Sequence, residues 1–170
     1  IPLDVNECKV SENGELLIKG DNVFIGYYKN QNLYEDVVID GWFRTGDLGY
    51  MDNGRYYFSD RKKDLIIKGG INIVPMEIEE VIYKHSEILE CVVVGRVDSI
   101  HGEEVVAVCV TNGSITEENL SKEILEICRA ELSSYKIPKQ IYFWDELPKT
   151  ASHKLLRKDV RKKINKLSVR

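Results

Sequence analysis

A lysine near the end of the chain is the first residue whose surroundings suggest chemistry. The segment LPKTASHKLLRK, Leu147 to Lys158, places Lys154 after a run of small polar residues and directly after His153. An ammonium group on a polar loop can stabilise an anionic substrate. The same pattern also describes a solvated loop that leads into a final helix. The spacing alone favours neither interpretation.

Three other kinds of site have no specific signal in the sequence: a phosphate-binding loop, a metal site and a nucleophile motif. Lys68-Gly69-Gly70 is glycine-rich but lacks the GxxxxGK[ST] pattern of a phosphate-binding loop. The three histidines are far apart and have no partner at metal-ligand spacing, so no metal site is expected. A GxSxG nucleophile motif is also absent from the sequence.

The composition is that of a folded protein without a membrane-spanning segment. Of the 170 residues, 43% are hydrophobic and 31% are charged, which argues against disorder. No apolar run approaches the ~20 residues that a membrane helix needs, and Ile1 to Val10 carries charges instead of the apolar core of a signal peptide. The four cysteines form no CxxC pair, and three lie in apolar segments. This pattern predicts buried free thiols and a cytoplasmic protein.

The net charge of −4 hides a basic C-terminal segment. From Lys154 to Arg170 eight lysines and arginines face one acid, Asp159, so this segment carries +7 and the rest of the chain −11. A basic segment can bind nucleic acid, an anionic membrane or a phosphorylated ligand, but a basic helical face is more often simply solvated.

The first 60 residues read as β-rich. Gly14 to Gly20 and Asn22 to Tyr28 have the composition of short strands, with a short helix predicted over Gln31 to Val37. Asp52-Asn53-Gly54 is a strong hairpin-turn signal, because Asn and Gly tolerate positive φ.

The sequence after Asp60 reads as a compact α+β domain with a central antiparallel sheet flanked by helices. The charged segment DRKKD that begins at Asp60 suits a linker or hinge between the two parts. The predicted strands are LII and INIV, on either side of Lys68-Gly69-Gly70, and the segments 91–97, 103–111 and 141–147. The predicted helices cover residues 76–85, 116–132 and 156–167.

Several segments together resemble the adenylate-forming enzymes, which include acyl-CoA synthetases, peptide-synthetase adenylation domains and luciferases. GWFRTGDLGY resembles the TGD segment of that family, and YYFSDRKKDLIIKGGINIVPMEIE resembles its hinge region and the motif that follows. LSSYKIPKQI and LPKTASHKLLRK resemble its last two motifs. The segments keep the order and spacing of the family over nearly the whole chain.

This resemblance implies a C-terminal portion of an AMP-forming acyl-CoA synthetase. Residues 1–60 would be the terminal β-subdomain of the large N-terminal domain, and residues 61–170 the mobile C-terminal domain, with a hinge near 60–64. The phosphate loop and most of the acyl pocket belong to the large domain, so the chain alone is expected to be inactive and to pack against that domain.

The implied reaction is that of an acid–thiol ligase. A carboxylate and ATP give an acyl-adenylate, and coenzyme A then displaces AMP. The implied ligands are therefore a small-molecule carboxylate, ATP or AMP, coenzyme A and Mg²⁺, the last held mainly by the large domain. Fatty acid metabolism is the expected context, and no nucleic acid partner is expected; the oligomeric state is left open.

The resemblance also assigns residues. Asp47 matches the acid that binds the ribose hydroxyls, and Arg61 the arginine on the ribose or phosphate side of the nucleotide. Lys63 matches the hinge position. The lysine that bridges the substrate carboxylate and the α-phosphate is matched by Lys154. Gly69 and Gly70 match the loop that lines the pantetheine channel in members of the family. A plain hairpin turn would need the same two residues.

The sequence departs from the family pattern at His153, where the family usually has glycine. Glycine there suggests positive φ, and histidine is among the residues enriched in that region, so we expect the loop to form with His153 left-handed.

Two alternative functions stay open at this point. One is an adenylation enzyme that loads a carrier protein, and the other a non-enzymatic interaction module that uses the basic segment.

Overall fold

The computed structural model describes residues 6–167. The first five and last three residues lie outside that range. The start of the first expected domain, the end of the second and the end of the basic segment therefore lie outside the described residues. The chain divides into two compact units, with the boundary between Lys63 and Asp64. Among residues 6–167, no helix combines the length and apolar character that crossing a bilayer requires.

The first unit is a five-stranded antiparallel sheet with one short helix. The long strand β4 pairs with β2, β3 and β5, and β1 pairs with β2. At the turn after β4, Asn53 and Gly54 adopt φ values of 47° and 75°, which confirms the predicted hairpin. The elements are β1 Asn6–Val10, β2 Glu15–Gly20, α1 Gln31–Val37, β3 Val38–Ile39, β4 Trp42–Asp52 and β5 Arg55–Arg61.

The helix predicted over Gln31–Val37 is confirmed, but the strand predicted over residues 22–28 is wrong. Residues three apart on a strand point to opposite faces. The rings of Phe24 and Tyr27 instead meet edge to face, 4.8 Å apart, and Phe24 also contacts Tyr34 and Phe43. This aromatic cluster bends the segment, so its β-prone residues do not extend.

The second unit is an α+β fold, as expected. Its centre is the long antiparallel ladder of β8 and β9, and the hairpin of β6 and β7 joins the other edge of β9. One pairing was not predicted: β10 lies parallel to β9, and it ends at Phe143 instead of continuing to residue 147. The elements are β6 Ile66–Lys68, β7 Ile71–Ile73, α2 Pro75–Ile82, β8 Ile88–Asp98, β9 Gly102–Thr111, α3 Glu117–Glu131, β10 Gln140–Phe143 and α4 Arg157–Leu167.

The central sheet of this unit is buried on both faces. Successive side chains of a strand alternate between faces, so Cys91 and Val93 belong to the core that contains residues of α2 and α3. Val92 and Val94 belong to a second core, which contains residues of α4. Burial on both faces explains why β8 and β9 are unbroken apolar runs.

The free edge of β8 is covered by side chains. The N–H of Cys91 donates to Oη of Tyr83 at 2.8 Å, and the N–H of Val97 donates to Oδ1 of Asn165 at 2.9 Å. Between them the N–H of Val93 donates to Oε1 of Glu79, at 2.7 Å. These contacts satisfy backbone groups that a neighbouring strand would otherwise bind.

The expectation of buried free thiols is confirmed for three of the four cysteines. All four are free, and Cys91, Cys109 and Cys128 are buried, whereas Cys8 is partly exposed. Burial raises the pKa of Cys128 to about 11. These three thiols are therefore packing residues in the core.

Candidate functional site

Lys154 lies on a closed loop of residues 148–156, here called the Lys154 loop. At its base Lys149 and Leu155 form an antiparallel bridge, and the N–H of Leu156 donates to the Pro148 carbonyl at 2.9 Å. Inside the loop, the N–H of Thr150 donates to the Lys154 carbonyl at 2.9 Å, and Thr150 Oγ1 accepts from the Lys154 N–H at 3.1 Å. The backbone of Lys154 is thus fixed while its side chain is exposed.

His153 adopts φ = 61°, in the left-handed region. The positive φ predicted for this position is therefore confirmed. The N–H of His153 donates to the Thr150 carbonyl at 2.9 Å, which places the residue in the turn that precedes Lys154. A left-handed residue other than glycine costs roughly 1–2 kcal/mol. The loop thus keeps the conformation that glycine would take, at an energetic cost.

The base of the Lys154 loop is attached to the sheet. Leu147 is 3% exposed and packs, together with Leu155, in the core that contains α4 residues. The Lys149 ammonium pairs with the Glu90 carboxylate near the start of β8. Apolar packing and an ion pair therefore place the loop at this end of the β8–β9 ladder.

Asp47 and Arg61 lie opposite each other on β4 and β5. Nε of Arg61 is 3.2 Å from Oδ1 of Asp47, which is close enough for an ion pair but not aligned for a hydrogen bond. This Oδ1 atom is buried and accepts no hydrogen bond from residues 6–167. The structure therefore brings the two predicted nucleotide-binding residues together, and the Asp47 side chain is 30% exposed.

Glu15 holds the turn before Asp47, a role that the sequence analysis missed. Its side chain is 4% exposed and accepts from Gly46 N–H at 3.1 Å, Arg44 at 3.2 Å and Lys62 at 3.3 Å. Burial by itself raises the pKa of Glu15, but these three hydrogen bonds outweigh it, so the pKa lies below its usual value. The only sequence signal is one acid at the start of an apolar strand, which is too common to indicate a buried ion pair.

A shallow cavity beside Asp47 is lined by three cations. Its volume is about 370 Å³, and its lining residues are Thr45, Gly46, Arg61, Lys62 and Lys63. Lys63 itself is exposed, in the 3-10 turn Lys62–Asp64 at the boundary of the two units. A cationic lining next to a hydroxyl acceptor is chemically suited to a ribose carrying phosphate.

Gly69 and Gly70 form the two-residue turn between β6 and β7. Their φ values are 57° and 82°, as a type I′ hairpin requires. A Cβ atom added at either position would meet nothing within 4 Å, so no neighbour within the described residues requires a glycine. The N–H of Gly69 donates to the His101 carbonyl at 2.8 Å, which fixes the turn against the β8–β9 connection. Turn geometry alone accounts for both glycines.

Asp98, His101 and Glu104 lie together beside this turn, with potential metal-ligating atoms within 4.8 Å of one another. Nδ1 of His101 is 3.2 Å from both carboxylates, and Lys68 Nζ is 2.8 Å from Oε2 of Glu104. Backbone hydrogen bonds from His101 and Ile100 lower the pKa of Asp98. Glu104 is already paired with Lys68, and Mg²⁺ prefers oxygen ligands to the imidazole nitrogen, so these residues form an ion-paired cluster and do not fit Mg²⁺.

The chain therefore carries its predicted site residues in three places. Asp47 and Arg61 form one pair in the first unit. In the second unit, the Lys154 loop is attached near Glu90, at the start of β8, and the Gly69–Gly70 turn near Gly102, at the start of β9. Because β8 and β9 are antiparallel, these two positions are opposite ends of one ladder.

Comparisons with known proteins show which family the chain resembles. Residues 77–154 match the model of the AMP-binding enzyme C-terminal domain. A 2-succinylbenzoate–CoA ligase of Bacillus cytotoxicus is 47% identical over 149 residues, which are 87% of this chain and 30% of that ligase. The chain thus spans about a third of the length of the curated relatives it matches.

Solved structures match over nearly the whole chain. ATP-bound MatB from Rhodopseudomonas palustris is 30% identical with a TM-score of 0.90, over 97% of this chain and 35% of that one. The o-succinylbenzoate CoA synthetase MenE from Bacillus subtilis, in complex with the acyl-adenylate intermediate OSB-AMP, is 36% identical with a TM-score of 0.83, over 94% and 34%.

Fold and sequence together define the class: the chain belongs to the AMP-forming adenylate-forming enzymes and corresponds to their C-terminal portion. The two CoA ligases named for 2-succinylbenzoate are more similar to it in sequence than MatB is.

Proposed function

We propose that the full-length protein is an AMP-forming acid–thiol ligase that activates a carboxylate as its adenylate and transfers the acyl group to coenzyme A. The observation that carries this proposal is the Lys154 loop, which presents an exposed ammonium group on a backbone fixed by hydrogen bonds. Preorganised cations of this kind stabilise the charge that develops at a transferring phosphoryl group.

In the adenylation step, Lys154 bridges the attacking carboxylate and the α-phosphate. The two reactants are both anionic and repel each other, so an ammonium group between them lowers the energy of the approach and of the transition state. Mg²⁺, when bound by the large domain, would neutralise the phosphates further.

Asp47 and Arg61 bind the nucleotide. The partly exposed carboxylate of Asp47 accepts from the ribose hydroxyls, and Arg61 offers the remaining donors of its guanidinium to the ribose or phosphate side. The support for these roles is the pairing of the two residues across β4 and β5, next to a cavity lined by cations.

Residues 60–64 act as the hinge between the terminal β-subdomain and the mobile C-terminal domain. Lys63 lies at the boundary of the two compact units and is exposed, so it can change its backbone conformation without losing buried contacts. Gly69 and Gly70 then line the channel of the pantetheine thiol in the second half-reaction. Their lack of side chains leaves open space on the outside of the turn.

The substrate we favour is an aromatic carboxylate, whereas the sequence alone left the acyl substrate open and gave fatty acid metabolism as its context. The support is the 47% identity to a ligase named for 2-succinylbenzoate. A panel of 2-succinylbenzoate, benzoate and fatty acids, assayed with the full-length enzyme and coenzyme A, tests this choice. Turnover of fatty acids alone would overturn it. The same panel with a carrier protein as acceptor tests the alternative thiol.

The proposal is tested by the Lys154→Ala variant of the full-length enzyme. We expect ATP–pyrophosphate exchange to fall on the order of a hundredfold or more, with thioester formation from supplied acyl-adenylate retained. Lys158→Ala is the matched control, since Lys158 is exposed and four residues further on in the first turn of α4. Equal losses in both half-reactions, or no loss, would contradict the role of Lys154.

The 170-residue chain alone should catalyse no exchange, because it spans about a third of its relatives, and exchange by the isolated chain would contradict this. The free cysteines are in keeping with the cytoplasm as the expected compartment.

A further inference from the structure

Arg157 and Glu79 form a two-sided clamp on one peptide of β8. Arg157 Nη2 is 3.1 Å from Oε2 of Glu79, and Nη1 contacts Oε1 of the same carboxylate. Nη1 also donates to the Val93 carbonyl at 2.7 Å, while the Val93 N–H donates to Glu79 Oε1 at 2.7 Å. The carboxylate and the guanidinium thus bind each other and both backbone groups of Val93.

The clamp resists displacement because it satisfies a strand edge. The N–H and C=O of Val93 point away from β9, and the ion pair takes the place of a neighbouring strand. Glu79 is 8% exposed, and bidentate pairing with a guanidinium fixes both distance and direction. Losing one partner would leave a buried charge unpaired, which is strongly destabilising.

The clamp lies at the start of α4, next to the Lys154 loop. Arg157 is the first residue of that helix and follows Lys154 by three positions. Leu155 and Leu156, which lie between them, close the base of the loop through the Lys149 bridge and the Pro148 carbonyl. The chain between the clamp and the lysine is therefore itself held in place.

We propose that Arg157, held by Glu79 and the Val93 peptide, is a positioning residue for Lys154. The inference rests on the proposed adenylation role of Lys154. The clamp ties the C-terminal side of the loop to β8, and the Lys149–Glu90 pair ties the other side to the same strand. Lys154 then enters the adenylation site with its backbone already placed, and displacement of a reacting group by about 1 Å can cost a hundredfold in rate.

The fold of α4 does not depend on this clamp alone. Val160 and Ile164 are fully buried in the second core, and Asn165 binds the Val97 N–H. Arg161, one turn after Arg157, makes a separate ion pair with Glu103. Removing both charges of the clamp therefore leaves the helix packed and releases mainly the loop before it.

The experiment compares Arg157→Met and the double variant Glu79→Gln/Arg157→Met with Arg161→Met as the matched control, in the full-length enzyme. The double variant removes both charges, so no buried carboxylate is left unpaired, and the introduced amide oxygen can still accept from the Val93 N–H. We expect both clamp variants to lower kcat of adenylation tenfold to about a hundredfold with little change in KM for ATP. Thioester formation from supplied acyl-adenylate is retained, and Arg161→Met keeps adenylation within about threefold.

A second readout separates positioning from general stability. In a Lys154→Ala background, removing Arg157 is expected to cause no further loss of adenylation, because its effect passes through Lys154. Unchanged adenylation in the double clamp variant, or equal losses in both half-reactions, would overturn the inference. The proposed function fails separately, if Lys154→Ala itself leaves exchange intact.

Discussion

The Lys154 loop and the Gly69–Gly70 turn lie at opposite ends of the same β8–β9 ladder but are held by different means. At about 3.3 Å per residue, the strand from Glu90 to Asp98 separates the two ends by roughly 25 Å. The Gly69–Gly70 turn continues a backbone ladder, with two left-handed glycines and a hydrogen bond to His101. The Lys154 loop is irregular and is attached to β8 by the side chains of Lys149 and Arg157.

This difference indicates what each end can do. A glycine turn presents backbone and open space, which suits the passage of a thin chain such as pantetheine. A side-chain-anchored loop presents one charge at a fixed place, which suits the transfer of a phosphoryl group. One domain that used the two ends in turn would need to rotate between half-reactions, as the resemblance to the adenylate-forming enzymes implies.

The largest effect at the glycine end is expected from Gly69→Asn. Asparagine tolerates positive φ and Asn-Gly is a favoured type I′ turn, so the hairpin should keep its stability. If the turn lines the thiol channel, the added side chain should slow thioester formation at least tenfold while adenylation is retained. Single-turnover assays of both half-reactions measure this. A variant with normal thioester formation would leave Gly69 as a plain hairpin residue.

We expect Glu104→Gln to lower the free energy of unfolding by about 3 kcal/mol. This change leaves the Lys68 ammonium, whose side chain is 18% exposed, without its charged partner. Because Lys68 adjoins the turn, amide exchange should become faster at Gly69 and stay unchanged at Lys154. Hydrogen exchange by NMR or mass spectrometry detects the difference. An equal increase in the exchange rates of the Gly69 and Lys154 amides would mean that the two ends are not independent.

A pH dependence is expected at the glycine end. Backbone hydrogen bonds from His101 and Ile100 lower the pKa of Asp98, so the turn is supported above the unfolded pKa of about 3.9. That support is lost as the pH falls through the lower folded pKa. In an acid titration by NMR, the amide signals of Ile100 and His101 should follow the Asp98 carboxyl. Asp98→Asn should remove the response, and its persistence in that variant would assign it to another group.

The smallest effect is expected from His153→Gly at the lysine end. Glycine adopts φ = 61° without strain, so the free energy of unfolding should rise by about 0.5–1 kcal/mol. His153→Val should lower it instead, because a β-branched residue is disfavoured at positive φ. Chemical denaturation of the three forms gives the comparison. A loss of stability in the glycine variant would mean that the histidine side chain makes a stabilising contact.

Local patterns predicted much of this fold, and the failures have physical causes. A turn signal located the β4–β5 hairpin and continuous β-branched runs located the β8–β9 ladder, and the helix Gln31–Val37 was also predicted. The strand expected over residues 22–28 failed because ring packing around Phe24 outweighs local β propensity.

The candidate site was predictable where it depends on motif residues and not where it depends on pairing across the chain. The left-handed backbone at His153 follows from the position of a glycine in the family pattern. The Glu79–Arg157 pair joins residues 78 positions apart, and the buried Glu15 gathers partners up to 47 positions away. Neither is visible in local spacing, since any of the many charged residues could have been their partner.

The most direct test of a division of labour between the two ends is the crossed pair of variants. Lys154→Ala and Gly69→Asn are each assayed, in the full-length enzyme, for ATP–pyrophosphate exchange and for thioester formation from supplied acyl-adenylate. We expect Lys154→Ala to lose exchange and retain thioester formation, and Gly69→Asn to do the reverse. Losses in the same half-reaction for both variants would contradict the account.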